Sequence, residues 1–449
     1  EVAPVVVPEP KIEDLGPAIA DAGGPDAGKE ADTGALDLGL IAEASSPSVT
    51  VSAGKFHTCA VIKGDVRCWG ASFEGSLGHG REETIGDDET AESATIIEFP
   101  EPVTAVSAAG DRQSNYTCAL LASGDVRCWG DNTFGQLGLA HTTTIGDDEL
   151  PNTVPAVNLG GPAKFVSAGS SQFASHACAI MMDGAVRCWG GNKYGELGLA
   201  HTTTIGDDEI PASVPTIELG EPAIHVSSGK YSTCAVLESG AVRCWGWNKY
   251  GQLGLGHTDD IGDDELPTIA SPIDFGGLKA SRVSVGRWHA CALMQDGTAR
   301  CWGRNNKGQL GLGHTNDIGD DETPASLKPI ELDGPVTDIV AGSLHTCALL
   351  DGKVRCWGDN KFGQLGYSHT RAVGDDEPVN TVAAVYLGAD AISVSAGSYH
   401  ACVVTKEENV RCWGYNKFGQ LGYGHTKTIG DTETPAGSGD VPLKMREKP

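Results

Sequence analysis

Seven times this chain spells Arg-Cys-Trp-Gly: Arg67–Gly70, Arg127–Gly130, Arg187–Gly190, Arg243–Gly246, Arg300–Gly303, Arg355–Gly358 and Arg411–Gly414. The tryptophans stand 60, 60, 56, 57, 55 and 56 residues apart. A self-similar period of this length means one small supersecondary unit, whose faces can be buried only against copies of itself. That constraint overrides the prior of about three ordinary domains that 449 residues would otherwise suggest.

Each unit reads the same way. An entry strand such as KFVSAG (Lys164–Gly169) ends in glycine. Two β-type runs then flank an Asp-Gly turn in HACAIMMDGAVRCWG (His176–Gly190), a strong hairpin signal. A glycine-punctuated loop, GNKYGELG (Gly191–Gly198), leads to an acidic segment and then to a proline-bounded run, VPTIEL (Val214–Leu219). No helical period is sustained. The expected fold is all-β: a seven-bladed β-propeller with four short antiparallel strands per blade. Sixty-one glycines, roughly twice the ~7% of average usage, suit so many tight turns.

Closure of the ring is expected from terminal strands. Val49–Gly54 opens the first unit in mid-blade, and the tail GDVPLK (Gly439–Lys444) resembles the outer strand of the other units. That tail is the favoured donor, with GALDLGLIAE (Gly34–Glu43) as its competitor. The propeller is thus placed at residues 48–444, followed by a tail at 445–449. Residues 1–47 carry PVVVPEP and an Ala/Gly/Asp-rich run, too poor in apolar surface to fold alone. They read as a flexible linker that tethers the propeller to a surface, or as an arm that adds a strand to a neighbouring molecule.

These units resemble the repeats of the family named after the regulator of chromosome condensation. The resemblance rests on VSAG, HTCAV, GDVRCWG and WGDNTFGQLG (Trp129–Gly138), and covers residues 48–444. It implies seven-bladed propellers with little function in common: a nucleotide-exchange factor on chromatin, a plant ultraviolet receptor, a secreted bacterial inhibitor of β-lactamases. The paired cysteines and the IGDDE insertion resemble secreted bacterial members, not the nuclear one. The plant receptor's light sensing depends on a Gly-Trp-Arg-His-Thr motif. Only GRWHA (Gly286–Ala290) approaches it, with Trp and Arg exchanged, so light sensing is not expected. The RCWG tryptophans are expected in the packing between blades.

The fourteen cysteines fall into pairs: Cys59 and Cys68, Cys118 and Cys128, Cys178 and Cys188, Cys234 and Cys244, Cys291 and Cys301, Cys347 and Cys356, Cys402 and Cys412. A two-residue turn at Lys63-Gly64 sets Ile62 opposite Asp65 and hence Cys59 opposite Cys68. A turn one residue longer keeps that register in the wider-spaced units. Directly opposed antiparallel residues have Cα atoms about 4.5–5.5 Å apart, within reach of a disulfide. Seven intrablade disulfides are expected; buried thiols and zinc are the alternatives, the latter without the usual close ligand spacing. Disulfides place the protein in an oxidising compartment, extracellular or at the cell surface. The chain opens at Glu1 with no leader pattern, as a mature protein with its signal removed would.

Net charge is −28, which opposes nucleic acid and anionic membranes. No apolar run is long enough for a membrane span. Thirteen histidines suggest catalysis, but seven of them (His79, His141, His201, His257, His314, His369 and His425) are one repeated residue. Five more, at 57, 176, 289, 345 and 400, stand two residues before a cysteine. A catalytic constellation is asymmetric, and neither a nucleophile elbow nor a phosphate loop is present. No enzyme activity is expected. The RCWG arginines are expected to pair with carboxylates of an adjacent blade or to pack their stems on a tryptophan.

The acidic segments recur on equivalent loops: Asp87, Asp88 and Glu89; Asp147, Asp148 and Glu149; Asp207, Asp208 and Glu209; Asp263, Asp264 and Glu265; Asp320, Asp321 and Glu322; Asp375, Asp376 and Glu377; and, around Thr432, Asp431 and Glu433. Three readings stand open: structural pairing, calcium held by carboxylates and a backbone carbonyl, or recognition of a basic partner. Units differ mainly in insertions at Gln113–Tyr116 and Ser170–Ser175 and in the residues after their WG, where Trp247 and Tyr415 are candidate anchors for a partner. The function expected is a binding or scaffold protein acting through its propeller faces. The rival expectations are a subunit that self-associates through its N-terminal arm, and a protein inhibitor of an enzyme.

Overall fold

The computed structural model describes residues 48–443 except Arg112 and Gln113. The expectations for residues 1–47, including the strand donor at Gly34–Glu43, lie outside the described residues. The rest forms seven sheets, each of three antiparallel strands in chain order. In the first unit these are β1 (Val49–Ala53), β2 (His57–Ile62) and β3 (Asp65–Gly70). The middle strand is buried along its whole length in every unit. Its alternation of small and branched apolar residues suits a sheet covered on both faces.

The hairpin register is the expected one. Ile62 faces Asp65, Val61 faces Val66, Ala60 faces Arg67 and Cys59 faces Cys68. All seven cysteine pairs are disulfides, with Cα atoms 4.0–4.1 Å apart, and no cysteine is left free.

The fourth strand is not a strand. The outer segment of each unit meets the third strand at one backbone hydrogen bond, as from Ile217 N–H to Val186 or from Val157 N–H to Val126. In the second and third units proline contributes to this: Pro155 and Pro215, two residues before those contacts, lack the N–H that the next rung would need. The first, sixth and seventh units keep the same single bond with no proline at that place. The RCWG arginine holds the segment instead: Arg187 Nη1 donates to the carbonyls of Pro211 and Val214, and Arg127 to those of Pro151 and Val154. Carboxylate partners are found for Arg355 with Asp333 of the preceding unit and for Arg411 with Asp440 of its own.

Closure also differs from expectation. The C-terminal segment does not add to the first sheet: Val441 N–H bonds to Val410 of its own unit, and the first sheet takes its outer contact from Ile97. The first and seventh units meet by the contacts that join any two neighbours. Ala53 N–H donates to Ser395 Oγ at 3.0 Å, as Ala108 N–H does to Ser52 Oγ at 2.9 Å. Thr58 Oγ1 lies 2.9 Å from His400 Nε2, as Thr117 Oγ1 does from His57 Nε2.

The tryptophans sit in the unit junctions, as expected. Each is fully buried and donates its indole N–H to a carbonyl of the unit before it, Trp69 to Gln420 and Trp189 to Gln136 among them. A glycine packs against each indole; a Cβ on Gly198 would come within 2.9 Å of Trp245 Nε1. The first strands meet around a narrow cavity of about 90 Å³, lined by their Ala, Gly and Ser residues from all seven units.

Candidate partner-binding face

Three loop positions of each unit converge beside that cavity. The residue before the middle strand and the residue after WG are fixed as neighbours by a backbone hydrogen bond: Trp247 N–H to Tyr231 O at 2.9 Å, Arg304 N–H to Trp288 O at 2.8 Å, Tyr415 N–H to Tyr399 O at 2.9 Å. The third position follows a buried asparagine. Asn248 Oδ1 accepts Leu253 N–H at 2.9 Å while its Nδ2 donates to the His257 and Asp259 carbonyls. Gln252 Oε1 then accepts Tyr250 N–H at 2.9 Å and so positions that ring. The same asparagine recurs as Asn132, Asn192, Asn305, Asn360 and Asn416, all buried. Its place in WG-x-N was the available signal for this role, and sequence reasoning passed over it.

The side chains so placed form two aromatic arcs. In the first, Tyr194, Tyr231, Trp247, Tyr250 and Trp288 follow one another with ring centroids 5.3–5.9 Å apart. In the second, Phe362, Tyr399, Tyr415, Phe418, Phe56 and Phe73 are spaced 4.9–6.3 Å apart. The two candidate anchors fall one in each arc. Most of these rings are half-buried, and Phe73 is exposed. Cations lie over them: Lys193 over Tyr194, Arg287 over Trp288, Arg304 over both Tyr250 and Trp288.

The acidic loops stand next to this face. Asp263 and Asp264 share a depression with Trp247, and Asp320, Asp321 and Glu322 share one with Tyr250 and Arg304. Each loop starts where its isoleucine or valine pairs with the glycine of WG, as Ile145 does with Gly130. The following glycine is structural: Gly146 has φ +101°, and a Cβ there would stand 2.5 Å from Gly75 O of the previous unit. Its carbonyl accepts Gly80 N–H at 3.0 Å. Within at least five of the loops the three carboxylates bring oxygens within 4.8 Å of one another. Burial, then the adjacent aspartates, push Glu149, Glu265 and Glu322 up to about 7, and raise Glu89, Glu209 and Glu377 as well. In the seventh unit Thr432 Oγ1 donates to Glu433 Oε2 at 2.7 Å in place of a third carboxylate.

Four of the middle-strand histidines pair across unit junctions. His176 Nε2 lies 2.8 Å from Thr233 Oγ1 of the next unit, and His289 Nε2 2.9 Å from Thr346 Oγ1. Burial lowers His57, His176 and His345 to about 4, and His289 and His400 to about 3. The loop histidines turn inward on their own chain, Nδ1 of His141 accepting Thr143 N–H at 3.2 Å.

Comparison with known proteins agrees with this architecture. The model of the RCC1-like domain matches residues 30–331, and that of the regulator of chromosome condensation (RCC1) repeat matches 336–364 and 391–420. The chain belongs to the RCC1-like family. It is 34% identical over 384 residues to the ultraviolet-B receptor UVR8 of Arabidopsis thaliana, covering 84% of this chain and 79% of that protein. It is 33% identical over 298 residues to the human probable E3 ubiquitin-protein ligase HERC6, spanning 66% of this chain but 26% of that much longer protein. Among solved structures, human WBSCR16 superposes with a TM-score of 0.65 at 18% identity, over 84% of this chain and 93% of that one. Yeast RCC1 (Prp20), solved bound to Kap60, also gives 0.65, at 20% identity over 94% and 91%. No helix among the described residues is long and apolar enough to cross a membrane.

Proposed function

We propose that this chain is a non-catalytic extracellular or cell-surface binding protein that engages another protein through the aromatic face beside its central cavity. One observation carries the reading: two arcs of half-buried aromatic rings, interrupted at other units, on a scaffold that otherwise repeats. Tryptophan and tyrosine supply large contact area at little entropic cost and dominate interface hot spots. The solved complex of a propeller of this family with a protein supports such a use, and seven disulfides favour an oxidising compartment. The test is selection of displayed peptides on the immobilised protein, followed by affinity for Trp247→Ala and Tyr415→Ala. Loss of about tenfold or more at either anchor is the expected outcome. Unchanged affinity for both would move the site elsewhere.

The close carboxylates favour a second, compatible reading, in which the acidic loops hold calcium. Calorimetry of the non-reduced protein in calcium, in magnesium and in chelator decides it. A midpoint several degrees higher in calcium alone is expected by linkage. An unmoved midpoint, with no heat on titration, would leave the loops as structural acids.

A further inference from the structure

The residue that follows the cavity-lining glycine occupies the same place in every unit. Around the ring these residues are Lys55, Asp111, Ser170, Lys230, Arg287, Ser343 and Ser398. Three cations against one carboxylate give this ring a formal charge of +2, in a chain whose net charge is −28. Lys55 Nζ and Lys230 Nζ each lie 2.5 Å from one oxygen of Asp111, a buried bridge that ties the first, second and fourth units together. Burial would raise Asp111, but Lys230 and Lys55 outweigh it and hold the carboxyl at about 2. One carboxylate is thus fully engaged by two ammonium groups.

Arg287 has no such partner. Among the described residues no carboxylate lies within ion-pair distance of Arg287 or Arg304; both guanidinium groups rest against Trp288, at 3.9 and 4.5 Å from the ring centroid. Stacking orients the planar fork and leaves its edge for an acceptor. Lys230 and Arg287 line the cavity together with Ser170, Ser343 and Ser398. At about 90 Å³ the cavity admits the tip of one side chain, not a strand or helix.

From these features we infer that the cavity mouth is a carboxylate seat, in which an acidic side chain of a protein partner sits between Arg287 and Lys230 while apolar neighbours of that side chain lie on the aromatic arcs. The inference rests on the proposed use of this face and names the partner's chemistry. Charge complementarity selects the occupant: a mouth of surplus positive charge accepts one carboxylate at its centre, while the acidic loops near it repel further carboxylates that approach off-centre. A bidentate contact with Arg287 supplies direction as well as attraction.

The probes are two sets of short peptides, with Glu or with Gln at the central position and aromatic or aliphatic residues beside it. Binding to the full chain is read by fluorescence polarisation at low and high salt, for wild type, Arg287→Gln and Arg287→Lys. Wild type should bind the Glu set at least about tenfold more tightly than the Gln set, with an advantage that shrinks in high salt. Arg287→Gln should erase the advantage, and Arg287→Lys should keep part of it at an unchanged thermal midpoint. Equal binding of the two sets, indifference to Arg287→Gln, or no binding by any member would overturn the seat. Free glutarate binding as well as the peptides would mean a small-anion site, and a dimer lost in Arg287→Gln would mean that a second copy is the occupant; either overturns the partner inferred. Gln peptides that still depend on Trp247 and Tyr415 would leave the aromatic reading intact while the carboxylate seat fails.

Discussion

Glu196 shows how much one atom matters inside a repeat. Equivalent positions hold Gln136, Gln252, Gln309, Gln364 and Gln420, whose Oε1 accepts the N–H two residues back. Glu196 accepts Tyr194 N–H in the same way at 2.7 Å and is as buried as they are, its Oε1 unpaired as Nε2 is in Gln252, Gln309 and Gln420; what differs is that a carboxyl can ionise there. Burial pushes its carboxyl from 4.5 up to about 8. A carboxyl raised on folding contributes its full stability below the unfolded value, and that contribution is lost as pH climbs toward the folded one. Glu196→Gln should therefore stabilise the protein by roughly 2–4 kcal/mol at neutral pH, with the gain largest above pH 8. Calorimetry of the variant at about pH 5, 7 and 9, which bracket the folded value, checks this. An equal shift at all three would mean that repacking, not ionisation, sets the difference.

At the scale of elements, the hairpin is the robust part of each unit and the outer segment the weak part. Middle and third strands share a full ladder and a disulfide, whereas the outer segment keeps one backbone hydrogen bond and an arginine. The hairpin was legible in advance because its determinants are local: β-branched alternation, a glycine turn, and a cysteine spacing that changes only when the turn lengthens. The outer segment looked like a strand for the same local reasons, yet Pro215 denies it the next rung. Replacing Cys178 and Cys188 together by Ser should lower stability by about 2–3 kcal/mol, the worth of a loop of that size. Denaturant unfolding of the variant measures it. A loss below about 0.5 kcal/mol would show that the ladder alone holds the hairpin.

For the molecule as a whole, the units are joined by polar pairs hidden in their junctions. His57, His176, His289 and His400 each reach the threonine of the following unit, and the last of these joins the seventh unit to the first. Their folded values of about 3 to 4 lie below the ordinary 6.5 of an imidazole. The unfolded chain therefore takes up protons first: the contribution is whole above pH 6.5 and is lost as pH falls toward 4. Each imidazole can cost up to about 3 kcal/mol by that point. The raised glutamates of the acidic loops act in the opposite sense, so a difference measurement is the clean one. His176→Gln should lose less of its thermal midpoint than wild type between pH 6.5 and 4. Parallel losses would assign acid sensitivity to other groups.

What the chain's own letters determined is the repeat: seven units, antiparallel hairpins, cysteine opposite cysteine, tryptophan in the junction. These follow from alternation, turn chemistry and spacing, which act over a dozen residues and are written again in every unit. The tertiary structure alone decided what the units do together. It brought Trp247 beside Tyr194 and Tyr250, and Tyr415 beside Phe362 and Phe418. It set Asp111 between Lys55 and Lys230, left Arg287 on Trp288 with no carboxylate of the described residues in ion-pair distance, and turned the RCWG arginines onto carbonyls. The contacts of this kind that cross units, Tyr194 with Trp247, Phe362 with Tyr415 and Asp111 with Lys55 and Lys230, join residues about one repeat or more apart, at positions where the repeats differ, so no local rule encodes them until the ring sets those positions side by side.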